Sequence, residues 1–110
     1  MIDLDEMAYI LHDNAVEKGF WEPNTDENHV VFYLKQLAMV HSEVSEVLEA
    51  IRKEKGQDKI VEEFADIIIR VLDLYAGMRA DGAITDSLQS TLIAKAHINR
   101  ERPRMHGVLA

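Results

Sequence analysis

The sequence predicts an all-α protein, a four-helix bundle-like single domain spanning residues 1–110, and two observations predict it. Apolar residues recur at three- and four-residue steps through long stretches, and glycine, proline and short polar side chains break those stretches at short intervals. The chain has 110 residues, 47% hydrophobic and 29% charged, which suits one soluble core. A core this small leaves much surface uncovered, so self-association is an economical way to cover a remaining apolar helix face.

The first helix is expected from Asp3 to about Lys18, with Met7, Ile10, Leu11 and Ala15 at helical spacing and Gly19 as terminator. Phe20 to Asn28 holds Pro23, Asn24, Thr25 and Asp26, which favour turns and caps, so it reads as a loop. The second helix is expected from about His29 to Glu54. Its stripe is Phe32, Leu37, Val40, Val44, Val47, Leu48 and Ile51, without an internal Gly or Pro. Gly56 is the stop, and Asp58 is read as the cap of a third helix from about Lys59 to Arg79. Ile67, Ile68 and Ile69 would suit a strand, but the period-3.6 stripe from Ile60 and Phe64 to Tyr75 and Met78 continues on both sides of them. Asp81 and Gly82 turn the chain, Thr85 or Asp86 is expected to cap a fourth helix running towards Arg100, and Pro103 ends it.

Twenty acidic residues against twelve Lys and Arg give a net charge of -8, which disfavours nucleic acid polymers. No cysteine is present, which excludes disulfides, thiolate metal sites and cysteine nucleophiles. The N-terminal stretch does not resemble a secretory signal, and no segment has the ~18 apolar residues of a membrane span. A soluble, cytoplasmic protein with no membrane partner is the expectation.

The informative pattern is acidic. On a helical wheel with about 100° per residue, Glu43 borders the apolar sector of its helix and Glu46 lies about 300° on. Glu63 and Asp66 repeat that arrangement on the next helix. An antiparallel hairpin turning near Gly56 would set Glu43 level with Asp66 and Glu46 level with Glu63. Four converging carboxylates repel one another unless a cation compensates, and all-oxygen ligands favour Mg²⁺, with Mn²⁺ as the alternative. The bland reading is a solvated acidic edge, since most acids are exposed. A di-iron bundle would need Glu-x-x-His steps on its helices, and none is present.

At these residues the chain resembles the MazG-like nucleoside triphosphate pyrophosphohydrolases, a branch of the all-α group that includes dimeric dUTPases. The resemblance rests on GFWEPN (19–24), HSEVSEVLEAIRK (41–53), EEFADIIIRVLD (62–73) and KAHINRERPRMHG (95–107). It implies that Glu43, Glu46, Glu63 and Asp66 are metal ligands; as acceptor of the proton of the attacking water we take Glu43 or Glu46. It implies cleavage of a nucleoside triphosphate to monophosphate and pyrophosphate, in a homodimer or homotetramer. Ser42 stands where the family usually has a further glutamate, which leaves metal number and water activation open.

Lys95, Asn99 and Arg102 resemble the family's phosphate-contacting set, with His106 a weaker member. Arginine suits bidentate phosphate contacts and lysine a point-charge contact, although basic residues here would also complement the negative end of the last helix. Trp21 is a candidate for stacking on the base, while Phe20 reads rather as a core anchor. Arg70 and Asp73 read as ion-pair or subunit-contact residues. Two other functions compete: a non-catalytic helical oligomerisation module, and an HD-type phosphohydrolase centred on His12 and Asp13, which would require further His and Asp ligands.

Overall fold

The computed structural model describes residues 1–104, so His106 lies outside the described residues. Four helices follow in order: α1 (Leu4–Glu17), α2 (His29–Arg52), α3 (Gln57–Ala80) and α4 (Leu88–Glu101). No strand occurs among the described residues, as the helical periodicity requires. No helix among them is long and apolar enough to cross a membrane.

Local chemistry sets each boundary. Asp3 caps α1 by accepting from the Glu6 amide at 2.9 Å, and Gly19 follows the helix at φ 88°, a left-handed conformation that glycine adopts without a Cβ penalty. The turn between α2 and α3 lies two residues earlier than expected. α2 stops at Arg52, Glu54 enters the left-handed region, and Gly56 at φ 98° is itself the N-cap of α3. Asp58 therefore lies in the first turn of α3 and not at its cap, where its charge still complements the helix N-terminus. Ser87, not Thr85 or Asp86, caps α4. Its Oγ accepts from the Ser90 amide at 3.1 Å and donates to Asp5 of α1, so a contact between distant segments selects among three capable cap residues.

α3 is the central element, packed against α2 on one side and α1 on another, while α4 rests on α1 near its N-terminus. The α2–α3 hairpin is antiparallel, because Tyr33 near the start of α2 donates to Asp81 at the end of α3, and Glu43 in mid-α2 meets Arg70. Two small apolar clusters form the core. Ala8 of α1 packs with Leu72 and Ala76 of α3, and Trp21, Phe32, Tyr33 and Leu74 form the second.

Trp21 organises the second cluster. Its ring meets Phe32 at 4.9 Å and His12 edge-on at 4.6 Å, and its Nε1 donates to Asp73 Oδ1 at 2.9 Å. The same oxygen is bonded to His12 Nδ1 at 2.9 Å, so one carboxylate ties α1, the following loop and α3 together. A second polar knot closes the far end, where Asn24, His29 and Tyr33 converge on Asp81. Burial and then the Asp81 hydrogen bond push the Tyr33 hydroxyl up to about 12, keeping it a donor.

The apolar stripes of α2 and α3 divide between two environments. Phe32 and Val47 are buried, yet Leu34, Leu37, Val44, Leu48 and Ile51 are exposed along α2. Along α3, Val61, Phe64, Ile68 and Val71 are exposed at alternating four- and three-residue steps. The chain thus presents two adjacent apolar seams with a coiled-coil spacing. α4 buries no residue, so the four helices do not close into a complete bundle within one chain.

The Trp21 seat yields a stability prediction. A Cβ at Gly77 would lie 2.0 Å from Trp21 Cη2, so the indole must move to admit it. Gly77→Ala is expected to cost about 1–3 kcal/mol, as overpacked cores do. A lowered melting temperature together with a red-shifted emission of the single tryptophan would register it.

Candidate functional site

Glu43, Glu63 and Asp66 converge, each offering a carboxylate oxygen within 4.8 Å of the others. Glu43 projects from the middle of α2, and the other two occupy adjacent turns of α3. Glu63 is buried; Glu43 and Asp66 are partly buried. Glu46 is exposed and stands outside this group. A three-residue step places Glu46 about 60° around α2 from Glu43. On α3 the same step keeps both acids within reach of Glu43.

Two cations offset the repulsion. Arg70 Nε donates to Glu43 Oε1 at 2.8 Å, and Lys59 Nζ lies 2.9 Å from Glu63 Oε1. The Lys59–Glu63 pair has the four-residue spacing visible in the sequence, whereas Arg70 pairs across the hairpin. The hydrogen bond to Glu63 and the nearby acids raise Lys59 above its ordinary range, so it stays charged. Asp66 has no ion pair among the described residues. Desolvation, then the charges of Glu43, Glu63 and Glu62, raise its carboxyl above the ordinary value. Three hard oxygen donors with surplus negative charge suit a divalent cation, and the donor set fits Mg²⁺ or Mn²⁺.

The acids stand at one end of a cleft of about 560 Å³ walled by α1, the Phe20–Pro23 segment, α2 and α3. Its lining is mainly apolar, with Leu11, Phe20, Trp21, Phe32, Met39 and Ile69 prominent. Asn14, Lys35 and Gln36 add polar groups, and Glu43, Asp66 and Arg70 form the charged end.

Both members of the aromatic pair line the cleft, and Trp21, not Phe20, is the one anchored in the core. Trp21 is 9% exposed, a core residue whose remaining surface forms cleft wall, while Phe20 is 69% exposed and lines the cleft without serving as an anchor. The next side chain faces inward because Trp21 finds a bare glycine and a carboxylate acceptor on α3, neither of which is adjacent in sequence. Lys95, Asn99 and Arg102 are exposed, on or just after α4, and none of them lines the cleft. His12 and Asp13 do not form a shared centre: His12 is buried against Asp73 and Trp21, and Asp13 is exposed. That geometry removes the basis for the HD reading. Lys35, Asn14 and Gln36 had no motif to mark them, since the cleft exists only once α1, the Phe20–Pro23 segment, α2 and α3 meet.

The described residues thus form an all-α chain with three converging carboxylates at the charged end of a mainly apolar cleft. The family model for the MazG nucleotide pyrophosphohydrolase domain matches residues 33–101, more than half of the chain, and this chain belongs to that family. No curated protein and no solved structure matches it.

The raised carboxyl of Asp66 gives a pH-dependent prediction. Such a group contributes stability that is complete below its ordinary range and is lost as pH rises through the raised value. Asp66→Asn should therefore raise the melting temperature of the metal-free protein at neutral pH. The gain should shrink as pH falls through the carboxylate range, which melting curves across pH would follow.

Proposed function

We propose that this protein is a Mg²⁺-dependent nucleoside triphosphate pyrophosphohydrolase that cleaves between the α- and β-phosphates, releasing a monophosphate and pyrophosphate. The observation that carries the reading is the position of the Glu43, Glu63 and Asp66 triad at the end of a nucleotide-sized apolar cleft, in a chain of the MazG family. Glu43, Glu63 and Asp66 would hold Mg²⁺, or Mn²⁺ in its place. The bound ion supplies Lewis acidity and neutralises phosphate charge.

The chain's own groups do the rest. The apolar wall, with exposed Phe20 and the edge of Trp21, receives the base and excludes water around it. Glu46 stands outside the triad, three residues from Glu43 on α2, and one of these two acids would accept the proton of the attacking water. We assign Glu46 this role in preference to direct metal ligation. Hydrolysis at the α-phosphorus forms the new P–O bond as the bond to the bridging oxygen breaks, and pyrophosphate leaves.

We also propose that the exposed seams of α2 and α3 pair with those of another copy, making a homodimer or homotetramer. Such pairing would cover apolar surface that one chain leaves in water, about 25 cal/mol gained for each Å² buried. Lys95, Asn99 and Arg102, absent from the cleft of their own chain, would then contact phosphate across a subunit boundary.

Two experiments test these readings. Glu43→Gln and Asp66→Asn should abolish pyrophosphate release from a panel of nucleoside triphosphates and lose the rise in melting temperature caused by Mg²⁺, with helical circular dichroism retained. Orthophosphate as the first product would sink the reaction. For assembly, light scattering should give a multiple of 12.5 kDa for the native chain. The double variant Leu48→Glu/Phe64→Glu should give that single-chain mass, and a native protein already at that mass would refute the assembly.

A further inference from the structure

The cations nearest the carboxylate triad are not those of the C-terminal segment. Lys35 and Arg70 line the same cleft as Glu43 and Asp66, and no residue of α4 does. We propose that Arg70 is the phosphate-binding arm of this cleft, taking a phosphoryl oxygen of the nucleotide from within the same chain. The proposal rests on the pyrophosphohydrolase reading of the site and assigns it an anion-binding residue.

Three features carry the inference. Arg70 contacts Glu43 Oε1 through Nε, one of the five N–H donors of a guanidinium, and the planar fork has further N–H groups for a second acceptor. The side chain is 36% exposed, so an anion can reach it, while its Glu43 partner is 17% exposed and anchors it against α2. Position supplies the third feature. A phosphate chain approaching Glu43 and Asp66 enters a field of converging negative charge, and the cleft wall holds only two cations among the described residues to offset it. Lys35 has no ion pair among the described residues, whereas Arg70 is oriented by the 2.8 Å contact. Lys59, bound to Glu63, is not part of the cleft wall.

A guanidinium held on one edge by a carboxylate gives up less side-chain freedom when it binds a phosphate, because part of its ordering is already complete. The same contact makes Arg70 the counter-ion of Glu43, so its two possible roles must be separated by experiment. As an arm it touches substrate; as a counter-ion alone it would act only through Glu43.

The probe is inorganic tripolyphosphate with Mg²⁺, which presents a phosphate chain without a base, with binding followed by calorimetry and by Trp21 emission. Mn²⁺ affinity is measured separately by electron paramagnetic resonance. Arg70→Ala should weaken tripolyphosphate binding about tenfold, as loss of a charged hydrogen bond does, with Mn²⁺ affinity unchanged. Arg70→Lys keeps the charge without the fork and should recover only part of the binding; it also decides the matter if Arg70→Ala does not fold. Wild-type affinity in both variants overturns the proposal, as does a loss of tripolyphosphate binding that merely follows a loss of Mn²⁺ binding. A native protein that binds tripolyphosphate through Arg70 yet releases pyrophosphate from no nucleotide would instead overturn the proposed reaction and leave the arm standing.

Discussion

The indole of Trp21 sits where Gly77 leaves the backbone of α3 bare, and the cleft depends on that seat. The ring is wedged against Gly77, capped by His12 from α1 and Phe32 from α2, and held by its N–H to Asp73. Every wall of the cleft therefore refers to one buried side chain. A ring fixed on several sides has one rotamer to occupy, so the flanking loop is positioned by packing and a hydrogen bond together. Asp73 receives two donors on a single oxygen, which makes it a clamp between segments that would otherwise meet through small apolar contacts.

The charged end of the cleft obeys a different constraint. Three carboxylates on two packed helices bring oxygens within 4.8 Å of one another, where their charges repel. Arg70 and Lys59 compensate two of them, and the third, Asp66, carries the remaining strain as a raised carboxyl. Such a site is costly to the metal-free fold and favourable to a divalent cation, so the same repulsion that opposes folding supplies affinity. The arrangement also places a guanidinium and a carboxylate triad side by side, which is the charge pairing that a metal–phosphate ligand requires.

The single chain leaves apolar seams in water along α2 and α3. α3 buries its inner face against α1 and α2 but still exposes Val61, Phe64, Ile68 and Val71, and α2 behaves likewise. Helix spacing of this kind matches another helix pair better than it matches water. The interior of the monomer is accordingly modest, two clusters of a few residues each, and polar knots at Asp73 and Asp81 secure what apolar burial alone leaves loose.

Helix identity was legible along the chain because period-3.6 patterning and Gly19, Gly56 and Pro103 act locally. The residue types of the acidic cluster were legible for the same reason, as a repeated three-residue step beside an apolar stripe. What local pattern left open was membership. Glu43 and Glu46 are equivalent on a helical wheel to Glu63 and Asp66, yet only Glu43, Glu63 and Asp66 converge, a distinction that the wheel does not contain. Phe20 and Trp21 are adjacent and chemically alike, yet Gly77 and Asp73, more than fifty residues away, decided which ring is buried. The sequence by itself determined the helices and the supply of carboxylates; the tertiary structure alone decided which of them meet, and which cation stands beside them, because side chains distant along the chain acquire a common direction only when the helices pack.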